Sequence, residues 1–444
     1  MIVTNKATRI NLFDFKSTPM RTFHITWLSF FGCFFSWFAI APLMPLIRED
    51  LGLTKTQVGN TMIASVAVTI LARLLIGWLC DRLGPRRTYT ALLFLCAIPV
   101  MGIGLANNYE TFLLFRLAIG AIGASFVITQ YHTSVMFAPH CVGTANATAA
   151  GWGNLGGGVT QMVMPLIVSL FLTLGIGESA AWRLSMVIPG LILIVMGFVY
   201  YRGTKDFPDG NMDELRQRGQ LPVKAGGLET FRQAVGDHRV WVLALIYGAS
   251  FGIELTMDNM AALYFTDQFH LSMTHAGLIA GLFGLMNIFA RALGGIFSDR
   301  LARTGGLRAR VFFLGTVLFL GGIALIVFSR ITVLTGAVVA MVIFGLFVKM
   351  ANGATYSVVP FVNKKALGAV AGIVGAGGNV GAVLIGFLFR SESLSYSTAL
   401  FILGVAVMCV SVFSLVIKFS REDEKELQRD IEARQLRTLE PQTV

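Results

Sequence analysis

Two arginines lie inside long apolar stretches of this sequence, each eight residues before an aspartate that opens a basic turn. Arg73 precedes Asp81, Arg291 precedes Asp299, and the two pairs are 218 residues apart. At a rise of ~1.5 Å per residue, each arginine lies ~12 Å from its aspartate, near the middle of a ~30 Å hydrocarbon layer. A guanidinium at that depth normally faces a protein interior or a water-filled path. The repeat therefore indicates a functional site; the alternative is that each arginine pairs with an acidic neighbour and holds helices together.

Two glycine-rich stretches each carry one asparagine in an apolar setting. Asn154 lies in AAGWGNLGGGVTQ and Asn379 in GAGGNVGAVLIGF, 225 residues apart. Glycines let membrane helices pack with their backbones close together, so Gly157 and Gly381 are predicted at close helix contacts. Packing does not explain a buried amide, which needs hydrogen-bond partners. A small polar substrate is one such partner.

Five further polar residues lie within apolar segments. Glu254 and Asp258 are four residues apart, on one face of a helix, and acids inside a span are candidate proton carriers. The alternative is that they balance nearby cations. His132 is a third candidate for titration, although a lone histidine in a span is more often a hydrogen-bonded packing residue. Lys349 has no assigned role, and Arg116 is expected to pack between helices or to reach the membrane interface.

Composition sets the class of the protein. The chain has 444 residues, of which 55% are hydrophobic and 13% charged, with a mean hydropathy of +0.71. Such a composition indicates that the solvent is lipid. Twelve apolar segments are long enough to predict spanning helices. They cover about 24–47, 58–80, 88–106, 111–137, 142–171, 183–201, 239–265, 275–298, 310–329, 333–359, 367–389 and 396–418.

The charge pattern predicts topology. The net charge is +11, and most Lys and Arg residues fall in loops on one side, which the positive-inside rule makes cytoplasmic. Both termini are then cytoplasmic, and the basic charge is no sign of nucleic-acid binding. A polar linker at 202–238 separates six-helix halves at 24–201 and 239–418, flanked by a cytoplasmic N-terminal segment 1–23 and tail 419–444. The five cysteines lack metal spacing, and neither metal nor cofactor is expected.

The loop after the second segment carries a recognisable motif. From Gly77 it reads GWLCDRLGPRR, which resembles the major facilitator superfamily signature G-x-x-x-D-R-x-G-R-R with Pro85 inserted. A looser copy, GIFSDR, begins at Gly295. The resemblance implies an all-α membrane protein of twelve transmembrane helices in two pseudo-symmetric six-helix halves. It also implies a charged cytoplasmic latch, formed by Asp81, Arg82, Asp299 and Arg300.

The two glycine-asparagine motifs, with one arginine in segment two and one in segment eight, resemble the nitrate/nitrite porter family. MRTFHITWLSFFGCF and APLMPLIREDLGLTK are similar to its high-affinity nitrate transporter branch. Two arginines from opposite halves would clamp one planar anion near the midplane. The substrate-binding residues that the resemblance implies are Arg73, Arg291, Asn154, Asn379, Phe126, Gly153 and Gly378.

The resemblance implies a secondary transporter in the plasma membrane that imports nitrate, and nitrite, by alternating access. Proton symport is the preferred coupling. Two alternatives are nitrate/nitrite exchange, which needs no titrating carboxylate, and a nitrate sensor that retains the binding site. An enzyme is disfavoured because the sequence shows no nucleophile-base set or metal cluster. An accessory protein is compatible with the sequence, which does not specify one.

Overall fold

The computed structural model describes residues 5–138, 141–219, 227–363 and 366–420, together with Glu424. Within these residues the chain forms helices and no strand; two isolated β-bridges are present. Twelve helices are long and apolar enough to cross a membrane, so the predicted all-α membrane fold is confirmed. They are α1 Thr18–Asp50, α2 Lys55–Cys80, α3 Pro85–Leu105, α4 Tyr109–Met136, α5 Thr144–Thr173, α6 Glu178–Gly203, α7 His238–Phe269, α8 Met273–Ala302, α9 Thr304–Arg330, α10 Leu334–Phe361, α11 Ala369–Arg390 and α12 Tyr396–Val416.

Polar residues define where several spans begin. Thr54 precedes α2 and forms a capping box with Gln57, in which each side chain binds the other residue's backbone amide. Asn108 caps α4, and its side chain accepts a bond from Thr111 N at 2.9 Å. These side chains satisfy amides that have no partner inside the helix. The polar first turn explains why α2 begins three residues before the predicted apolar segment 58–80.

Local irregularities divide some spans. In α1 a helix Thr18–Phe38 is followed by a 3-10 turn Ala41–Leu43 and a short helix Met44–Asp50. Between α8 and α9 two helices meet at a kink at Gly306, whose φ of 65° and ψ of −156° are not helical, so the second helix begins at Leu307. The predicted gap between the apolar segments 275–298 and 310–329 therefore contains this kink.

The described residues of the linker include two short helices, Met212–Gln217 and Gly227–Gly236. The first is docked by an apolar cluster of Phe207, Met212 and Leu215 that packs on Val135 of α4.

The chain forms two compact contact units. Unit one comprises Met1–Lys224, Glu254–Ile288 and Ala382–Ala399; unit two comprises Ala225–Ile253, Phe289–Gly381 and Leu400–Val444. Their borders cut through α7, α8, α11 and α12. These units are defined by distances between residues, whereas the halves were predicted from the apolar segments and repeated motifs of the sequence. The half boundaries 24–201 and 239–418 therefore stay predictions.

Candidate functional site

Arg73 lies on the face of an aromatic ring in unit one. It is half-buried in α2, with its Cζ 5.3 Å from the centroid of the Phe126 ring in α4. Its Nε donates to the carbonyl oxygen of Gly123 at 3.4 Å. Arg73 and Phe126, both predicted to bind the substrate, are therefore joined by a cation–π contact.

Arg291 has the same kind of neighbour in unit two. It is half-buried in the helix that begins at Ala290, and its Cζ lies 5.3 Å from the ring centroid of Phe251 in α7. Phe251 stacks on Tyr247, with centroids 5.0 Å apart and planes inclined by 11°. Each unit thus places one intramembrane arginine over a phenylalanine.

The signature glycines accommodate these aromatic groups. A Cβ at Gly153 would overlap the ring of Phe30 in α1, and a Cβ at Gly378 would lie 2.6 Å from the ring of Phe251. Phe30 in turn lies 5.9 Å from Phe126, the ring beneath Arg73. In both units, therefore, a glycine of the motif leaves space for an aromatic wall beside the arginine. This wall consists of Phe30 and Phe126 in unit one and of Phe251 in unit two.

The two asparagines are buried, as an amide at a binding site requires. Asn154 is 1% exposed and Asn379 is fully buried. The Nδ2 of Asn379 donates to the Gly375 carbonyl at 3.5 Å, and its Oδ1 has no hydrogen-bond partner among the residues that the structure describes. A buried amide oxygen without a partner is costly, and such groups mark functional positions.

The two acids of α7 are buried among amides of unit one. Glu254 is fully buried, and its Oε1 accepts a hydrogen bond from Asn287 Nδ2 at 2.8 Å. Asp258 is 3% exposed, and its backbone oxygen accepts from Gln161 Nε2 at 2.5 Å. A Cβ on Gly157 would meet the Asp258 carboxylate at 3.3 Å. The first glycine-rich motif therefore lies beside the acids, an arrangement that the sequence did not reveal.

His132 has a hydrogen-bond partner at each ring nitrogen. Its Nε2 lies 2.7 Å from the carbonyl oxygen of Lys205, and its Nδ1 lies 2.5 Å from the hydroxyl of Tyr200. A carbonyl only accepts, so Nε2 carries the proton and Nδ1 of the neutral ring accepts from Tyr200. This geometry favours the packing alternative for His132 over proton transfer.

The predicted latch residues have different surroundings. In unit two, Asp299 pairs with Arg310 at 2.6 Å, and the arginine side chain is 8% exposed. Arg300 is exposed, and Arg82 lies over the exposed ring of Trp78 with its Cζ 5.1 Å from the centroid. The side chain of Asp81 lies outside the described residues. The latch stays a prediction.

Gly381, which was predicted at a close helix contact, has no space for a side chain. A Cβ at Gly381 would overlap the backbone of Gly248. At Gly157 the nearest atom is at 3.3 Å, whereas a Cβ at Gly156 would overlap the Phe31 carbonyl oxygen and one at Gly158 would lie 2.7 Å from the backbone of Gly284. The tightest backbone contacts of this part of α5 are therefore made by the glycines on either side of Gly157.

Arg116 takes the first of its two predicted roles, packing between helices. It is fully buried, and its Nη2 donates to Asn259 Oδ1 in α7 at 2.8 Å. Its other bond is to the Trp37 carbonyl at 3.5 Å. Both partners are neutral, and neither could be predicted from the sequence because they lie 143 and 79 residues away along the chain.

The chemistry of the site is that of anion recognition. A planar, permanently charged donor group beside an aromatic wall suits a small flat anion. Among the residues the structure describes, no group of three His, Cys, Asp or Glu residues could hold a metal ion. Twelve spans with repeated intramembrane arginines define a membrane transport protein of the twelve-helix type.

Comparison with known proteins gives the family. The Major Facilitator Superfamily model matches residues 26–361 and 257–442. The chain is 41% identical over 416 residues to high affinity nitrate transporter 2.5 of Arabidopsis thaliana, covering 94% of this chain and 83% of that protein. It is 28% identical over 480 residues to the nitrate/nitrite transporter NrtP of Nostoc punctiforme, covering 92% and 94%. This chain therefore belongs to the Major Facilitator Superfamily and, within it, to the family of the high-affinity nitrate transporters.

A solved structure supports the fold. A bacterial homolog of the human lysosomal transporter Spinster, in an inward-facing and unoccupied conformation, gives a TM-score of 0.67 at 18% identity. The match covers 90% of this chain and 95% of that chain. The predicted major facilitator fold is confirmed.

Proposed function

We propose that this protein is a secondary transporter, rather than an enzyme, and that it imports nitrate and nitrite by alternating access. The observation that carries the proposal is the arginine over a phenylalanine in each unit, Arg73 with Phe126 and Arg291 with Phe251. The 41% identity to a high affinity nitrate transporter supports the choice of substrate.

Both arginines contact the transported anion during the cycle. Nitrate is planar, monovalent and weakly hydrated, and guanidinium matches it with parallel N–H donors and weak hydration of its own. The buried asparagines Asn379 and Asn154 lie in motifs that supply further polar contacts. Because an oxygen acceptor repels an anion, a side-chain amide contacts nitrate only through its nitrogen; for Asn379 this requires Nδ2 to exchange its 3.5 Å bond to the Gly375 carbonyl for one to the anion.

Import of an anion requires a driving force. An inside-negative membrane opposes entry of nitrate by ~2.3 kcal/mol per 100 mV. Co-transported protons would supply the compensating charge, and arginine cannot carry them because it stays protonated. Glu254 and Asp258, both buried in α7, are the proposed carriers. Glu254 ranks first because it lies deepest in its span and accepts a bond from the Asn287 amide.

The proposed location is the plasma membrane, with both termini in the cytoplasm. The positive-inside rule supports this orientation, since the basic loops lie on the side of the linker and the termini. The end of α2 at Lys55 then faces the outside of the cell.

Flux in proteoliposomes tests the proposal. Labelled nitrate uptake should occur and should rise when the external medium is made more acidic than the lumen. Flux that ignores the gradient but exchanges rapidly with internal nitrite would replace symport by exchange. Specific nitrate binding without any flux would favour a sensor, and absence of both would reject the proposed substrate.

A further inference from the structure

The turn between α2 and α3 is closed by a carboxylate from a distant part of unit one. Gly84 has φ of 86°, and a Cβ there would overlap the carboxylate of Asp206, which follows α6. Asp206 is 3% exposed; its Oδ1 accepts from Arg86 N and its Oδ2 from Met212 N, both at 2.9 Å. Burial raises the pKa of the Asp206 carboxyl, and these two amide donors oppose that rise.

Unit two contains the same arrangement. Gly306, at the kink between α8 and α9, has φ of 65°, and a Cβ there would overlap the carboxylate of Glu424. The Oε2 of Glu424 accepts from Leu307 N at 2.8 Å, and its Oε1 accepts from Arg308 N at 3.0 Å. Glu424 follows α12, just as Asp206 follows α6.

The spacing indicates that these two contacts are repeat-related copies of the same structural arrangement. Gly84 and Gly306 are 222 residues apart, and Asp206 and Glu424 are 218 apart, the same interval as between Arg73 and Arg291. Each carboxylate comes from just beyond the last span of its six-helix half. It reaches back 120 residues to Arg86 and 117 to Leu307.

The local sequence explains why a distant carboxylate is needed. The first amides of a helix have no partner within it, and the preceding side chain usually caps them. Here the preceding residues are Gly84 and Gly306, which have no side chain, and their positive φ values disfavour other residues. A carboxylate at this position satisfies the amides and complements the positive end of the helix dipole.

We propose that Asp206 and Glu424 are repeat-related positioning residues for transport. Each carboxylate acts as a clamp: it binds backbone amides at the start of the helix that follows a signature loop. It thereby holds the residues of that loop in position. In unit two the clamped turn carries Arg310, which pairs with Asp299 at 2.6 Å. In unit one it carries Arg87, which pairs with Asp213 of the linker at 2.7 Å. The inference rests on the proposed transport function and makes the linker and the tail parts of the transport cycle.

Isosteric variants test the clamp without changing side-chain volume. Glu424→Gln and Asp206→Asn keep one acceptor oxygen but remove the charge. Asp209→Asn, three residues from Asp206 and bonded only to Asn5 among the contacts described, is the matched control in the linker. Glu426→Gln is the matched control in the tail, because it removes the same charge as Glu424→Gln.

Two readouts separate positioning from folding. Amide hydrogen exchange over 84–90 should rise in Asp206→Asn, and exchange over 305–311 should rise in Glu424→Gln, with both controls unchanged. The maximal nitrate flux should fall roughly two- to thirty-fold, the range expected for loss of a helix cap, while nitrate affinity stays unchanged. Glu424→Asp should restore part of the flux, since Asp206 performs the same role with the shorter side chain.

Each contrary outcome overturns the inference. Unchanged exchange in both variants would show that the clamp does not hold in the membrane. Raised amide hydrogen exchange with normal nitrate flux would show that the carboxylate caps the helix but has no role in transport. A fall in flux with an equal loss of nitrate affinity would indicate damage to the binding site. If the unmodified protein carries no nitrate, the proposed function fails, and the positioning role fails with it even where exchange reveals the cap.

Discussion

Arg73 and Arg291 differ from the other cations that the structure describes because each is half-buried against a ring in mid-span. Lysine would keep the charge but lose the planar donor fork and most of the stacking on Phe126 or Phe251. Arg73→Lys or Arg291→Lys should therefore weaken nitrate binding at least tenfold, which corresponds to ~1.4 kcal/mol. Equilibrium binding of labelled nitrate to the purified protein measures this directly.

Arg330 provides a matched control for these variants. It also lies over a ring, with its Cζ 4.4 Å from the centroid of Phe401, but it is exposed at the end of α9. Arg330→Lys should leave nitrate binding unchanged. Equal losses in all three variants, or normal binding in both mid-span variants, would contradict the assignment of Arg73 and Arg291.

Proton coupling is expected to depend on Glu254. Gln has the same shape and can still accept the bond from Asn287 Nδ2, so Glu254→Gln removes titration with little change in packing. Accumulation of nitrate driven by a pH gradient should be lost, whereas exchange of external for internal nitrate should persist. Both fluxes can be measured in the same proteoliposomes.

The corresponding control is Glu178→Gln, at an exposed acid in the first turn of α6. It removes one carboxylate without touching a buried site and should retain gradient-driven uptake. If Glu254→Gln retains full proton coupling, then either Asp258 is the proton carrier or transport is an exchange that involves no protons.

At the scale of elements, the number and type of helices followed from the sequence, because a span of ~20 apolar residues is a strong signal. Helix ends were less accurate, since polar capping residues such as Thr54 lie outside the hydropathy pattern. The kink at Gly306 was also missed, because a positive φ leaves no trace in hydropathy. The aromatic walls were not identified, because Phe30 and Phe251 are two of 35 phenylalanines and contact residues far away in the sequence.

Close packing of α11 on α7 should be intolerant of side chains. A Cβ at Gly381 would overlap the backbone of Gly248, which cannot yield as a flexible side chain would. Gly381→Leu should therefore block nitrate flux, and even Gly381→Ala should lower the melting temperature of the purified protein.

Gly372 is the matched control in the same helix, because no atom lies within 4 Å of a Cβ built there and the residue is exposed. Gly372→Leu should keep both flux and melting temperature. Gly157→Leu should also reduce flux, because the added side chain meets Asp258 and Phe34, whereas Gly157→Ala should be milder than Gly381→Ala. Normal flux in Gly381→Leu would show that the contact of α11 with α7 is absent in the membrane.

At the scale of the whole molecule, alternating access requires contacts that form and break at the outer ends of the spans. We propose that an ion pair between α1 and α7 in unit one is one such contact. Arg48 binds Asp267 through two parallel bonds of 2.7 and 2.8 Å, and Tyr396 donates to the same carboxylate at 3.0 Å. Arg48 and Tyr396, together with Lys55 and Met62, are among the residues that line a cavity there.

Breaking this ion pair should therefore open the outer end more often. We expect Arg48→Gln to raise the reaction rate of a cysteine placed at Met62 with a membrane-impermeant thiol reagent by up to about fivefold, because a part-exposed pair contributes up to ~1 kcal/mol. The charge swap Arg48→Asp with Asp267→Arg should return the rate towards that of the parent. Arg183→Gln is the control, since Arg183 pairs with Asp50 at 2.5 Å and joins α6 to α1, not α7 to α1. If Arg183→Gln raises the reaction rate of the cysteine equally, the increase reflects general loosening of the outer ends of the spans rather than loss of the Arg48–Asp267 pair.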